Sequence, residues 1–410
     1  MPVNIDAIEI ARKRIEKVVH RTPMLKDERL SAKLGCKLYL KAENLQRAGS
    51  FKIRGAFNKI SQLSPDERSR GVITASAGNH AQGVALAAKL NDIAATIVLP
   101  QFAPLTKVVA TKSFGARVIM QGETFDEAVD FSRSLEKEKG LTYVHAFDDD
   151  EIIAGQGSIG LEIAEDLPEA DTIVVPIGGG GIISGIALAA KAKLNGIRVI
   201  GVQAENVAPV RPSLQAGRPV EISYKPTIAD GIAIKRPAER TLALIRDHVD
   251  EIVEVSEDEI AEAIFHLAQN DHLVVEGAGA SGLAAIMSGK IRLIDGETVC
   301  SVLCGGNIDG NVLARVIEQS LVRAGRYVIF DVTVPDRPGS LAGMLAAVAA
   351  SKANVIEVFH RRAMWMTPLG QVGIELLLEV RDRQHADETR DALRNAGYSV
   401  TVSAERPNEP

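Results

Sequence analysis

Cysteine is scarce: Cys36, Cys300 and Cys304 are the three in 410 residues. Three thiols cannot build a disulfide framework, which fits a chain kept in a reducing compartment. Long apolar runs are missing too, so no segment reaches the length of a membrane span. The first residues, "MPVNIDAIEIARKRIEKVV", mix both charge signs along an amphipathic helix pattern and lack the layout of a signal peptide. Basic runs are absent and lysines and arginines are scattered. With a formal net charge of -6, that argues against a nucleic-acid or anionic-membrane partner. The expectation is a soluble, cytoplasmic protein with an ordinary core, since 46% of its residues are hydrophobic and 24% charged.

Between about residues 70 and 320, short apolar runs alternate with helical patterns. "GVITAS" precedes "NHAQGVALAAKLN", "AATIVLP" precedes "PLTKVVATKSFG", and "TIVVPIGG" precedes "GIISGIALAAKAKLNG". Buried strands that each lead into a helix predict parallel sheets in α/β layers. The proline-containing stretch "APVRPSLQAGRPVEISYKP" reads as a loop excursion. Near residue 325 the texture changes, and the remainder parses as strand, helix, strand, strand, helix, strand. The expected domains are therefore residues 1–325 and a ferredoxin-like unit at 326–410, with a frayed tail.

Four stretches carry chemistry. In "VVPIGGGGIIS" a strand meets Gly178, Gly179, Gly180 and Gly181 before a helix. Glycines there let backbone N–H groups converge on an anion at the helix N-terminus. A tight turn needs only one or two glycines, so four favour a phosphate cup; neither a Walker A nor a dinucleotide fingerprint is present. "TASAGNHAQG" places Ser76, Gly78, Asn79 and His80 at a second helix start, suited to a carboxylate. Asn79 is also read as a helix cap, and His80 as a structural histidine. "VCSVLCGGN" ends a strand at Cys304; without a second thiol pair or a histidine cluster, zinc is disfavoured. Last, "AGSFKIRGA" sets Lys52 between Phe51 and Ile53. A desolvated lysine loses part of its proton affinity and becomes a nucleophile toward a phosphate-bearing aldehyde. The plain alternative is a surface lysine lying over Phe51.

"SFKIRGA", "SAGNHAQG", "GGGG" and "LCGGN", in that order, resemble the serine/threonine dehydratase family of fold-type II (tryptophan-synthase β-like) pyridoxal-phosphate enzymes. The resemblance covers roughly residues 5–320 and implies two open parallel α/β subdomains, the smaller at about 48–147. It implies pyridoxal 5'-phosphate held as a Schiff base on Lys52, with Phe51 against one ring face. Asn79 would bond the 3-hydroxyl oxygen, the backbone from Gly178 to Ile182 the phosphate, and Cys304 the pyridine nitrogen. The loop Ser76, Ala77, Gly78, Asn79, His80 would take the substrate carboxylate. The implied reaction is α,β-elimination of ammonia from L-threonine, with L-serine as a second substrate.

Related activities are weighed on single positions. Racemases of the group carry a serine directly before Gly-Asn-His, where this chain has Ala77, and their divalent-cation site would fall on Gln203, Val207 and Pro209. No metal is expected. Cys304 stands where threonine-specific relatives more often have serine, which leaves serine and 3-hydroxyaspartate open as substrates, and a non-catalytic amino-acid sensor is the reading from another class. "VPDRPGSLAGML" resembles an ACT regulatory domain, which implies an amino-acid effector, isoleucine or valine, around Asp336, Arg337, Pro338, Gly339, Ser340 and Leu341, and a homodimer or homotetramer.

Overall fold

The computed structural model describes residues 3–361 and 368–402. Two compact units emerge, Met1–Gly310 and Asn311–Pro410. Helix Gly310–Arg323 therefore groups with the second unit, upstream of the texture change near residue 326.

The first unit holds two sheets. The larger runs Met24–Lys26, Lys37–Lys41, Thr298–Val302, Thr172–Pro176, Arg198–Ala204 and Glu251–Val255. All neighbours in it are parallel except the first pair, whose strands, joined through helix Glu28–Leu34, are antiparallel. The smaller sheet runs Arg117–Met120, Ala95–Leu99, Val72–Ala75 and Thr142–Tyr143, all parallel. Its central strand is buried along its whole length, as is Thr172–Pro176 in the larger sheet, which explains their unbroken apolar runs.

Helix Lys52–Ile60 packs on helix Asp150–Asp166 with backbones almost touching: a Cβ on Gly155 would lie 2.6 Å from the Gly55 Cα. Beneath this crossing lies a dry ion network. Arg54 binds Glu43 (2.8 Å) and Glu162 (2.6 Å), and Lys41 binds Glu162 at 2.7 Å. Burial alone would raise the Glu43 carboxyl, but the Arg54 guanidinium outweighs it and holds it below the usual range.

One expectation is corrected. Val210–Ala216, within the stretch read as a loop, is a helix. Pro212 is tolerated because it sits in the first turn, where its missing N–H has no intrahelical partner to lose, and Gly217 at φ 65° closes the end.

The second unit has the antiparallel order Asn354–Arg361, Gln371–Glu379, Tyr327–Pro335, Ser399–Val402. Helices Ser340–Ala350 and Arg383–Asn395 accompany it, giving the βαββαβ order read from the sequence. Phe330, Val332, Ile374, Leu376, Met344 and Leu393 form its core. Among the described residues no helix is long and apolar enough to cross a membrane.

Candidate active site

Three parallel strands deliver the motifs at their carboxyl ends, where ligands of open α/β sheets bind. Val72–Ala75 leads to Ser76–Asn79, Thr172–Pro176 to the glycines, and Thr298–Val302 to Cys304.

Lys52 opens helix Lys52–Ile60, with Phe51 as its cap residue. Its Nζ donates to the Ala146 carbonyl at 3.0 Å and lies 5.0 Å from the Phe51 ring centre, over the ring as the plain alternative has it but half-buried rather than on the surface. Helix Asn79–Leu90 closes over it, with Gly83 against the lysine's own Cβ and backbone. Burial lowers the Lys52 pKa to about 8, against an opposing pull from Cys304 and Glu276.

The next residue after Ala146 ties the lysine to the glycine loop. The Phe147 ring occupies the space a side chain at Gly179 would take, 2.2 Å from an ideal Cβ, and the Phe147 Cβ and backbone abut Gly181. On the other side Ile232 crowds Gly178, while Gly180 adopts φ 93° against Thr241. Thr241 Oγ1 fixes the loop by donating to the Gly179 carbonyl at 2.7 Å. All four glycines thus have packing reasons in addition to any anion-binding one.

Hydrogen bonds lace the remaining motifs together. Ser50 pairs with Gly305, and Phe51 N–H donates to the Cys304 carbonyl at 3.2 Å. Asn307 Nδ2 donates to Ala48 O and to Asn79 Oδ1, both at 2.8 Å. Asn79 Nδ2 donates to Glu276 Oε1 at 2.6 Å. Asn79 is not a cap: Gly78 holds that position and no side chain caps the helix.

The titratable groups here are pushed toward neutrality by burial. His80, whose Nε2 meets Val144 O at 2.9 Å, falls to about 3, and His145 to about 4. The imidazole of His80 is thereby engaged with backbone and buried, as the structural reading of it requires. Cys304 is a buried thiol raised well above its ordinary value by burial and then Glu276. Ser76 Oγ accepts from Gly78 N–H at 3.2 Å, and Ala77 has no titratable atom to offer.

Several participants escaped the sequence reading: Ala146, Phe147, Thr241, Glu276 and Asn307. Only Asn307 adjoined a motif, in "CGGN". Glu276 left one trace, a lone acid between an apolar run and "GAGASG".

Three features fit a phosphate-bearing cofactor. Helix Gly181–Lys193 has no side-chain cap, leaving its first N–H groups for an anion. Helix Asn79–Leu90 offers a second uncapped start. Ser50 Oγ, next to the lysine loop, is buried without a partner.

Elsewhere, among the described residues, Asp27, His266 and Asp271 have metal-ligand spacing. Arg29 pins Asn270 Oδ1, which turns Asn270 Nδ2 toward His266 Nδ1 and leaves the imidazole proton on Nε2, 2.8 Å from Asp27. His266 and Asp27 thus form a hydrogen-bonded pair with Asp271 beside it, its Oδ2 3.5 Å from His266 Nε2. Gln203 uses its Oε1 to accept from Val210 N–H. In the second unit, Asp336–Gly339 is exposed and runs into helix Ser340–Ala350.

A desolvated lysine at the ends of parallel strands, joined through one dipeptide to an uncapped glycine-led helix, defines an enzyme class that holds a carbonyl cofactor by an amine and an anionic tail. The profile described as "Pyridoxal-phosphate dependent enzyme" matches residues 15–305, and the chain belongs to that family. The fold is tryptophan-synthase β-like, with a C-terminal antiparallel domain. Among relatives, the L-threonine ammonia-lyase of Thermotoga maritima is 48% identical over 400 residues, 98% of this chain and 99% of the relative. Maize serine racemase superposes with TM-score 0.74 at 37% identity, covering 79% of this chain and 99% of that one. Processed threonine deaminase isoform 2 of Solanum lycopersicum gives 0.74 at 36%, covering 78% and 91%.

Proposed function

We propose that this chain is an L-threonine ammonia-lyase, converting L-threonine to 2-oxobutanoate and ammonia and acting on L-serine to give pyruvate. The observation that carries the reading is the Lys52 amine, held near neutrality and linked through Ala146 and Phe147 to the glycine loop. When bound, pyridoxal phosphate supplies the electron sink that makes a Cα–H bond breakable. Lys52 Nζ then has the proton affinity to accept that hydrogen and hold it. The first turn of helix Gly181–Lys193, including Ile182, holds the phosphate, and the start of helix Asn79–Leu90 takes the substrate carboxylate. Phe51 would pack against the cofactor ring and Asn79 would bond its 3-hydroxyl oxygen. Cys304 keeps its proton and so places no negative charge at the ring nitrogen. The near-full-length match to a threonine ammonia-lyase supports the substrate class.

Racemisation is the second reading, favoured by the maize serine racemase likeness. Ala77 opposes it, because two-face proton exchange needs a second acid where this chain has a methyl group. Regulation belongs to the same proposal. The segment Asp336–Leu341, an exposed loop leading into a helix start, takes isoleucine or valine, the enzyme works as a homodimer or homotetramer, and its product feeds either isoleucine synthesis or threonine breakdown. The test is oxoacid release from L-threonine, L-serine, D-serine and 3-hydroxyaspartate, with and without isoleucine. Threonine should lead. Appearance of D-serine from L-serine without oxoacid, or amino-acid binding without turnover, overturns it.

A further inference from the structure

We propose that Glu276 is a positioning residue: its carboxylate holds the Asn79 amide in one orientation at the site. This rests on the lyase reading and adds a residue to it.

Glu276 is buried and occupies the cap position of helix Gly277–Met287, yet its side chain makes no cap bond. Its carboxylate instead reaches the start of another helix, at Asn79. The backbone makes room for it. A Cβ on Gly305 would stand 2.4 Å from Glu276 Oε1, and one on Gly231 3.3 Å away. Its own N–H is fixed by donating to the Gly305 carbonyl at 3.1 Å.

The amide chain has one consistent polarity. Asn307 donates to Asn79 Oδ1, so Asn79 must turn its NH₂ to Glu276, and the second hydrogen of that NH₂ stays available to an oxygen acceptor on a ligand. Without a carboxylate at 276 the amide is anchored at one end only. The groups that set the Glu276 charge are Asp230, which opposes ionisation, and the Asn79 hydrogen bond, Lys107 and Lys52, which favour it. Burial leads, then Asp230, and together they raise the carboxyl to about 7. The charge beside Asn79 therefore changes within the working pH range.

The experiment compares wild type with Glu276→Gln, Glu276→Ala, Asn79→Ala and the double alanine variant. Cofactor affinity of cofactor-stripped protein, the pH dependence of the bound cofactor's visible absorbance, and far-UV circular dichroism are measured on each. Glu276→Gln keeps an acceptor for Asn79 but has no proton to exchange. It should bind the cofactor like wild type while losing the spectral transition near neutral pH. Glu276→Ala should weaken cofactor binding about tenfold, Asn79→Ala comparably, and the pair no further, since both break one link. A Glu276→Gln protein that keeps the transition, or alanine effects that multiply, overturns the inference. Failure of wild type to release oxoacid would instead strike the lyase reading, because binding and absorbance report on Glu276 without turnover.

Discussion

Replacing Arg54 by methionine should be among the costliest single changes in the first unit. The guanidinium is fully buried and bonds both oxygens of Glu43 (2.8 and 2.8 Å) and both of Glu162 (2.6 and 3.0 Å), with Ser158 Oγ and His20 O as further acceptors. Arg54 and Lys41 balance Glu43 and Glu162, so methionine leaves one positive charge against two buried carboxylates. Breaking a buried pair from one side costs about 3–5 kcal/mol, because the partner stays behind uncompensated. The exposed pair Arg12–Glu165 is the control, worth at most about 1 kcal/mol. The pH dependence has a defined sign. In wild type the Glu43 carboxyl is depressed, so its contribution is present above the ordinary carboxylate range and is lost as pH falls through the depressed value. In Arg54→Met burial is opposed only by the Thr22 hydrogen bond and by Lys41, and Glu43 takes up a proton on acidification. The deficit against wild type should be largest near pH 8 and smaller near pH 5. Urea unfolding at both values, followed by far-UV circular dichroism and cofactor absorbance, measures it. Adding Glu43→Gln should recover part of the loss. A deficit equal to that of Arg12→Met, or one flat in pH, would refute the reasoning.

Gly179→Ala should abolish cofactor binding, because its Cβ lands in the Phe147 ring and relief requires moving the segment that carries Ala146; adding Phe147→Ala should restore part of it, read by equilibrium dialysis. Cofactor uptake by stripped protein should quicken with pH around a midpoint near 8, as Lys52 deprotonates, and Lys52→Ala should lack the visible absorbance; a midpoint above 10 contradicts the burial argument. All three cysteines are buried, with Cys300 pushed up to about 12, so the native protein should resist iodoacetamide at pH 8 and label only when unfolded. Rapid native labelling, seen by mass spectrometry, would count against the packing around Cys304.

The α/β alternation was legible because the buried strands are mostly apolar and several following helices start at glycine or a small polar residue, as at Asn79, Gly181 and Ser256. The glycine run and Cys304 were legible as motifs because each follows a strand end, and Lys52 because it stands between Phe51 and Ile53 among small residues. Val210–Ala216 was not, since a proline in a first turn looks like one in a loop. Asn79 misled as a cap because local sequence cannot tell that its amide is claimed by residues 197 and 228 positions away.

By itself the sequence determined the layers, the βαββαβ tail and the residue types able to bind an amine-held, phosphate-tailed cofactor, because these depend on periodicity and local backbone freedom. Only the tertiary structure decided that Lys52 is desolvated, that Phe147 joins it to the glycines, and that Glu276 faces Asn79. Those are matters of proton affinity and contact across the chain, and burial and distance exist only after folding.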